Sequence, residues 1–258
     1  MRTTSIAVIA AICLIACSCN ISVDTSDEPV LQEATFAHGI DEGKPVDPGD
    51  EFSQDEIIYL YLKFEGRPKK GDLESVFWFR DQKIAEKAVD FAEVNEGVIF
   101  SFGEFTYAYF TLSFDSAPLV GEGYRAEVSL DGELLGSYEF RIKPPADAVP
   151  SLITNVVLAR GADENYNPIE PTTAFAHGDT VFIVGRGDFG TGSWLQAEWT
   201  VNGELAEAAT RSLTINENLS DTGFSFSFLP DDGWPPGAHS VVLTMNGREI
   251  GRYEFTVE

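Results

Sequence analysis

The sequence predicts an all-β chain built as two consecutive β-sandwiches. Three observations carry that prediction: a composition rich in aromatic and β-branched residues, polar–apolar alternation punctuated by Asn-Gly and Asp-Gly turns, and an internal duplication.

The 258 residues include 19 Phe and 8 Tyr beside many Val, Ile and Thr, types that suit a pleated, half-buried surface. Short strands need frequent punctuation, and 23 Gly and 13 Pro supply it. With 43% hydrophobic residues the chain can bury real cores, and its length suits one large domain or two of ordinary size.

Alternation marks individual strands. Phe224, Phe226 and Phe228 alternate with Ser, as do Val241, Leu243 and Met245, or Ala126, Val128 and Leu130, with their own polar neighbours; this is the period of a half-buried strand. Asp131-Gly132, Asn202-Gly203 and Asn246-Gly247 sit where hairpins must turn, and they tolerate the positive φ angles of type I′ turns. Residues 83–91 have a helix-like Ile84, Ala88, Phe91 spacing. Their counterpart follows directly from Asn202-Gly203, so both segments are read as return strands.

The duplication appears as matched blocks. Lys44-Pro45-Val46-Asp47-Pro48 meets Asn167-Pro168-Ile169-Glu170-Pro171, with Phe52 against Phe175 in the same register. Trp78 meets Trp199, and Ile84 to Ala88 meets Leu205 to Ala209. Phe110 to Phe114 meets Phe224 to Phe228, and Gly132 to Phe140 meets Gly247 to Phe255. The offset drifts in small steps, as loop insertions and deletions produce. The identical tetrapeptides at Phe36 and Phe175 stand in a register no other block shares, so that identity is set aside as chance. The chain then divides into residues 1–16, a tether at 17–31, a first module at 32–143, a Pro-rich linker at 144–151, and a second module at 152–258.

About seven short strands per module, with Trp on a middle strand, predict an immunoglobulin-like sandwich. The hairpin from Gly121 to Phe140 is similar to the terminal strand pair of immunoglobulin-like modules in bacterial envelope proteins; that likeness names no ligand.

At the N-terminus, Arg2 precedes an apolar run, Ile6–Ala16. It is too short for an ordinary membrane span and fits the apolar region of a secretory signal. Leu14-Ile15-Ala16-Cys17 resembles the lipobox of bacterial lipoproteins: a branched residue, then a small one beside the scissile bond, then the acceptor cysteine. The resemblance implies that Cys17 receives a diacylglyceryl group and becomes the first residue of the mature protein, anchored by two or three acyl chains. Ser18, in place of Asp, resembles the outer-membrane sorting class. The expected location is therefore extracytoplasmic, lipid-anchored to a bacterial outer membrane or cell surface.

The net charge is −25. Residues 32–143 carry 23 acidic and 11 basic side chains and residues 152–258 carry 15 and 5, so both modules are acidic. Such a surface repels phosphate backbones, which excludes nucleic acid as a partner, and it repels anionic lipid, so attachment must come from the acyl chains. Cys13, Cys17 and Cys19 are the only cysteines; beyond them neither a disulfide nor a cysteine nucleophile is available.

Motifs for catalysis are missing. Gly190-Thr191-Gly192-Ser193 lacks the spacing of a nucleophile elbow, and no metalloprotease or phosphate-binding signature is present. His38, His177 and His239 are scattered, and the acidic stretches 47–51, 55–56 and 231–232 lack EF-hand spacing, so no metal or cofactor is expected. Trp78 and Trp199 are read as core, and Phe105, Tyr107 and Tyr109 as a core face. Trp194 and Trp234 lie beside Gly and Pro, without Trp counterparts in the first copy. Two readings stay open for them: exposed loop rings that stack on a sugar or anchor a protein partner, or rings packed against the sandwich. The expectation is a non-enzymatic binding or spacer unit of the cell envelope, with a carbohydrate-binding lipoprotein, or an accessory to a surface glycan-processing enzyme, as the alternative.

Overall fold

The computed structural model describes residues 29–93 and 98–258; Cys17 and most of the tether lie outside them. The first half holds β1 (Val30–Asp41), β2 (Lys44–Pro48), β3 (Glu51–Phe52), β4 (Ile58–Glu65), β5 (Asp72–Phe79), β6 (Gln82–Asp90), β7 (Ile99–Phe102), β8 (Phe105–Leu112), β9 (Gly121–Leu130) and β10 (Glu133–Ile142). The second holds β11 (Leu152–Ala162), β12 (Pro168–Pro171), β13 (Ala174–Phe175), β14 (Val181–Phe189), β15 (Trp194–Val201), β16 (Glu204–Leu205), β17 (Arg211–Thr214), β18 (Leu219–Phe228), β19 (Gly237–Met245) and β20 (Arg248–Val257). Helical structure among the described residues is confined to two single 3₁₀ turns.

In the first half the sheets run β2-β1-β4-β8-β7 and β3-β10-β9-β5-β6; in the second they run β12-β11-β14-β18 and β13-β20-β19-β15-β16. Each half has its own hydrophobic cluster, drawn from both of its sheets. One lies within residues 36–142 and includes Leu60, Leu62, Phe77 and Ala126. The other lies within 158–257 and includes Ile183, Trp199, Phe226 and Val241. Short strands β3 and β13 pair parallel with β10 and β20, while the neighbouring pairs are antiparallel.

The arrangement is immunoglobulin-like without the disulfide. Trp199, fully buried on β15, faces Val241 across the ladder. Two residues before the corresponding position on β9, the Tyr124 hydroxyl donates to the Leu119 carbonyl at 2.8 Å, a tyrosine corner. Burial holds that phenol above its usual range. His239 stands at the matching place on β19 and bonds the Pro235 carbonyl through Nε2 at 2.9 Å. The predicted turns form where expected: Asp131, Asn202 and Asn246 take φ of 50°, 51° and 53°, each followed by a positive-φ Gly.

The duplication is real in three dimensions, with two corrections to its register. Ala126 pairs with Tyr138 and Phe77, and Val241 pairs with Tyr253 and Trp199. Phe77, not Trp78, is therefore the counterpart of Trp199. A slip of one residue moves a side chain to the opposite face of a strand, and Trp78 accordingly sits half-buried on the outer face with the Arg125 guanidinium 5.1 Å above its ring. The pairs Leu60–Phe110 and Ile183–Phe226 likewise align Phe110 with Phe226 rather than Phe224.

That second shift exposes an exchange of volumes. Leu62 faces Ala108 in the first half, and at the same place in the second half Gly185 faces Phe224. A Cβ on Gly185 would lie 2.4 Å from the Phe224 ring. Large-with-small has become small-with-large, an exchange that conserves the summed side-chain volume of the pair.

Candidate functional site

The structure places neither Trp194 nor Trp234 in an exposed loop. Trp234 is fully buried at the turn before β19. Its indole N–H donates to the Asp179 carbonyl at 3.0 Å, and its ring meets Phe228 and Phe255 edge-on at 5.4 and 5.0 Å. Trp194 opens β15 and is 2% exposed. An indole with its faces covered and its N–H bonded cannot serve as a surface platform, so the first of the two readings fails for both. The neighbouring Gly and Pro residues signalled a loop, but burial was decided by distant chain segments.

Trp194 belongs instead to the junction between the halves. Its indole N–H donates to the Val120 carbonyl at 2.8 Å, its ring meets Phe79 edge-on at 5.8 Å, and the Arg80 guanidinium lies 4.6 Å above it. Two backbone bonds also cross: Val120 N–H to the Gly192 carbonyl at 3.1 Å, and Glu122 N–H to the Asn246 carbonyl at 2.9 Å. Gly121 is required here, because its φ is +106° and a Cβ would stand 2.0 Å from the Asn246 carbonyl oxygen. The linker is tied down as well. Asn218 accepts from the Val149 N–H at 3.0 Å and donates to the Asp147 carbonyl at 2.9 Å. The Pro-rich segment thus runs along the second half and is held there.

The three histidines do not converge. His38 pairs with Glu56, His177 Nδ1 lies 2.9 Å from the Trp234 carbonyl, and His239 Nδ1 accepts from the Asn202 N–H at 3.2 Å. Desolvation opposes ionisation of Glu56, but the Ser53 N–H and His38 outweigh it and hold its carboxyl below the usual range. Among the described residues no group of three His, Cys, Asp or Glu side chains is placed to hold a metal. Nor is any helix there long and apolar enough to cross a membrane.

A different surface stands out. Phe105, Tyr107 and Tyr109 do not face the core; Thr106, Ala108, Phe110 and Leu112 do. The expected face was the wrong one because both faces of β8 are apolar, so alternation alone could not rank them. Across the outer face of β4, β8 and β7, Tyr59 meets Tyr109 at 6.1 Å, Tyr61 meets Tyr107 at 6.2 Å, and Phe100 stacks on Tyr107 at 5.0 Å. Lys63 Nζ sits 4.3 Å above the Phe105 ring, and Phe102 is 78% exposed. The cluster is dense enough that the Tyr61 phenol is pushed up to about 12, by burial first and then by Glu33 and Tyr107.

The duplication supplies an internal control. The ladder pairings place Val184, Arg186, Gly223 and Ser225 of the second half where the first has Tyr61, Lys63, Tyr107 and Tyr109; level with Phe105 the second half breaks register at a bulge. The counterpart strand thus forms with Gly and Ser in place of the two tyrosines.

Comparison with known proteins adds little. No family model and no curated protein matches the chain. Among solved structures it is similar to red sea bream transglutaminase at 12% identity and a TM-score of 0.27, over 88% of this chain and 31% of that one. A similarity of that size carries no argument about activity.

Proposed function

We propose that this chain is a non-enzymatic, lipid-anchored protein of the bacterial envelope, a rigid two-sandwich unit that presents the aromatic sheet face of its first half to a partner. One observation carries the binding role: the outward-facing Tyr107 and Tyr109 of β8 are replaced by Gly223 and Ser225 at the same ladder positions of the second copy. Folding therefore does not demand them. Rings and hydroxyls together suit a partner that is apolar on one side and hydrogen-bonding on the other. Sugar rings are one such partner, so the carbohydrate reading passes from the tryptophans to this face.

The test exchanges first-copy residues for second-copy ones. Tyr107→Gly with Tyr109→Ser is expected to shift the thermal midpoint by only several degrees, since neither side chain enters the core and a strand glycine costs about 0.5–1 kcal/mol. Saturable binding on a glycan array by the parent chain, lost in the double variant, supports the sugar form of the proposal. Collapse of the fold in the variant would mean that these rings are structural. The anchor is tested separately: Cys17→Ser is expected to abolish metabolic labelling with radioactive palmitate, and a label that persists would remove the lipid-anchor reading.

A further inference from the structure

We infer that the chain forms a twofold dimer through the open edge of β18. An exposed sheet edge is a row of unpaired N–H and C=O groups, and proteins guard such edges with proline, charge or brevity. Most edges here are guarded. Strand β2 carries Pro45 and Pro48, and β12 carries Pro168 and Pro171. Strand β6 carries Lys83, Glu86 and Lys87, while β3, β13 and β16 are two residues long and β7 and β17 four. Among the strands that end a sheet in the described residues, only β18 combines length with no guard: it spans ten residues, has no proline or lysine, and its sole charge is Asp221 near one end.

The first half shows what such an edge accepts. There β8, the counterpart of β18, is covered by β7 in an antiparallel ladder from Ile99–Ala108 to Phe102–Phe105. In the second half β17 pairs with β15 on the other sheet, and β18 pairs with β14 alone. The seat is present and its own strand has gone elsewhere.

A second copy fits that seat because the segment Thr222–Phe228 is complementary to itself. An antiparallel pairing centred on Ser225 sets Phe224 against the mate's Phe226, and Thr222 against its Phe228, all on the core side. Gly223 then faces Ser227 and Ser225 faces Ser225 on the outer side. Aromatic pairs and small polar pairs both favour cross-strand association, and nothing charged lies within the paired segment. Asp221 falls outside it. The contact is isologous, so it closes at two copies. Both second halves are acidic, so association is expected to tighten as salt screens their repulsion.

Sedimentation velocity on residues 18–258, which contain all of the described structure, tests the inference. A concentration-dependent monomer–dimer equilibrium, stronger in high salt, is expected. Ser225→Lys and Ser225→Asp each place like charges across the axis and are expected to weaken the dimer several-fold, with circular dichroism unchanged. Mixing the two variants is expected to restore association as a heterodimer, which no general loss of stability can imitate. A monomer at every concentration overturns the inference, as does a dimer that ignores both charges or variants that fail to rescue one another.

Discussion

Replacing Trp194 with alanine is expected to uncouple the two halves and to cost about 3–5 kcal/mol, the usual loss when a buried tryptophan is truncated. The ring is 2% exposed, yet it belongs to neither hydrophobic cluster. Its contacts are with Phe79, Arg80 and Val120 of the first half. Removing it strips the joint of its apolar filling and leaves the Val120 carbonyl without a side-chain donor. Urea unfolding followed by tyrosine and tryptophan fluorescence is expected to change from one transition to two, with a broader interhalf distribution in X-ray scattering. Trp194→Phe is expected to sit between the extremes, since it keeps a ring and loses the N–H. An alanine variant with the parent's single transition and midpoint would show that the joint contributes no coupling, and the proposal of a rigid unit would go with it.

The second large effect concerns the exchanged pair in the cores. Gly185→Leu alone forces a side chain into the Phe224 ring and against the Asn155 carbonyl, 2.9 Å from the new Cβ; overpacking of this kind costs about 1–3 kcal/mol or more. Phe224→Ala alone opens a cavity and costs about 3–5 kcal/mol. Together they rebuild the Leu62–Ala108 pair of the first half, so the double variant is expected to be clearly more stable than the two losses combined. Denaturant midpoints for the four chains measure this. Simple additivity would mean that the copies are not equivalent at this site.

Local features were legible because their causes are local. A type I′ turn needs two positive φ angles, and Asn246-Gly247 announces them; alternation such as Phe-Ser-Phe-Ser-Phe announces a strand with one buried side. The copies were recognisable from the nine residues after Asp131 and Asn246, where both hairpins survive intact. The exact partner of Trp199 was not recognisable, since Trp matches Trp more persuasively than Phe although the ladder says otherwise. Nor was the inward face of β8, where Phe105, Tyr107 and Tyr109 compete with Ala108, Phe110 and Leu112 on equal terms. The candidate surface was thus visible as a row of aromatic residues but assigned to the wrong side.

The sequence by itself determined the all-β class, the repeat, the acidic surface and the lipobox likeness at Cys17, because composition, period and short motifs act over a few residues. Tertiary structure alone decided that Trp194 and Trp234 are buried, that β17 leaves its sheet and bares β18, and that the linker is clamped by Asn218. Those outcomes depend on contacts between segments tens of residues apart, such as Trp194 with Val120 and Trp234 with Asp179. Burial is a property of what arrives from elsewhere in the chain, and no local pattern encodes it.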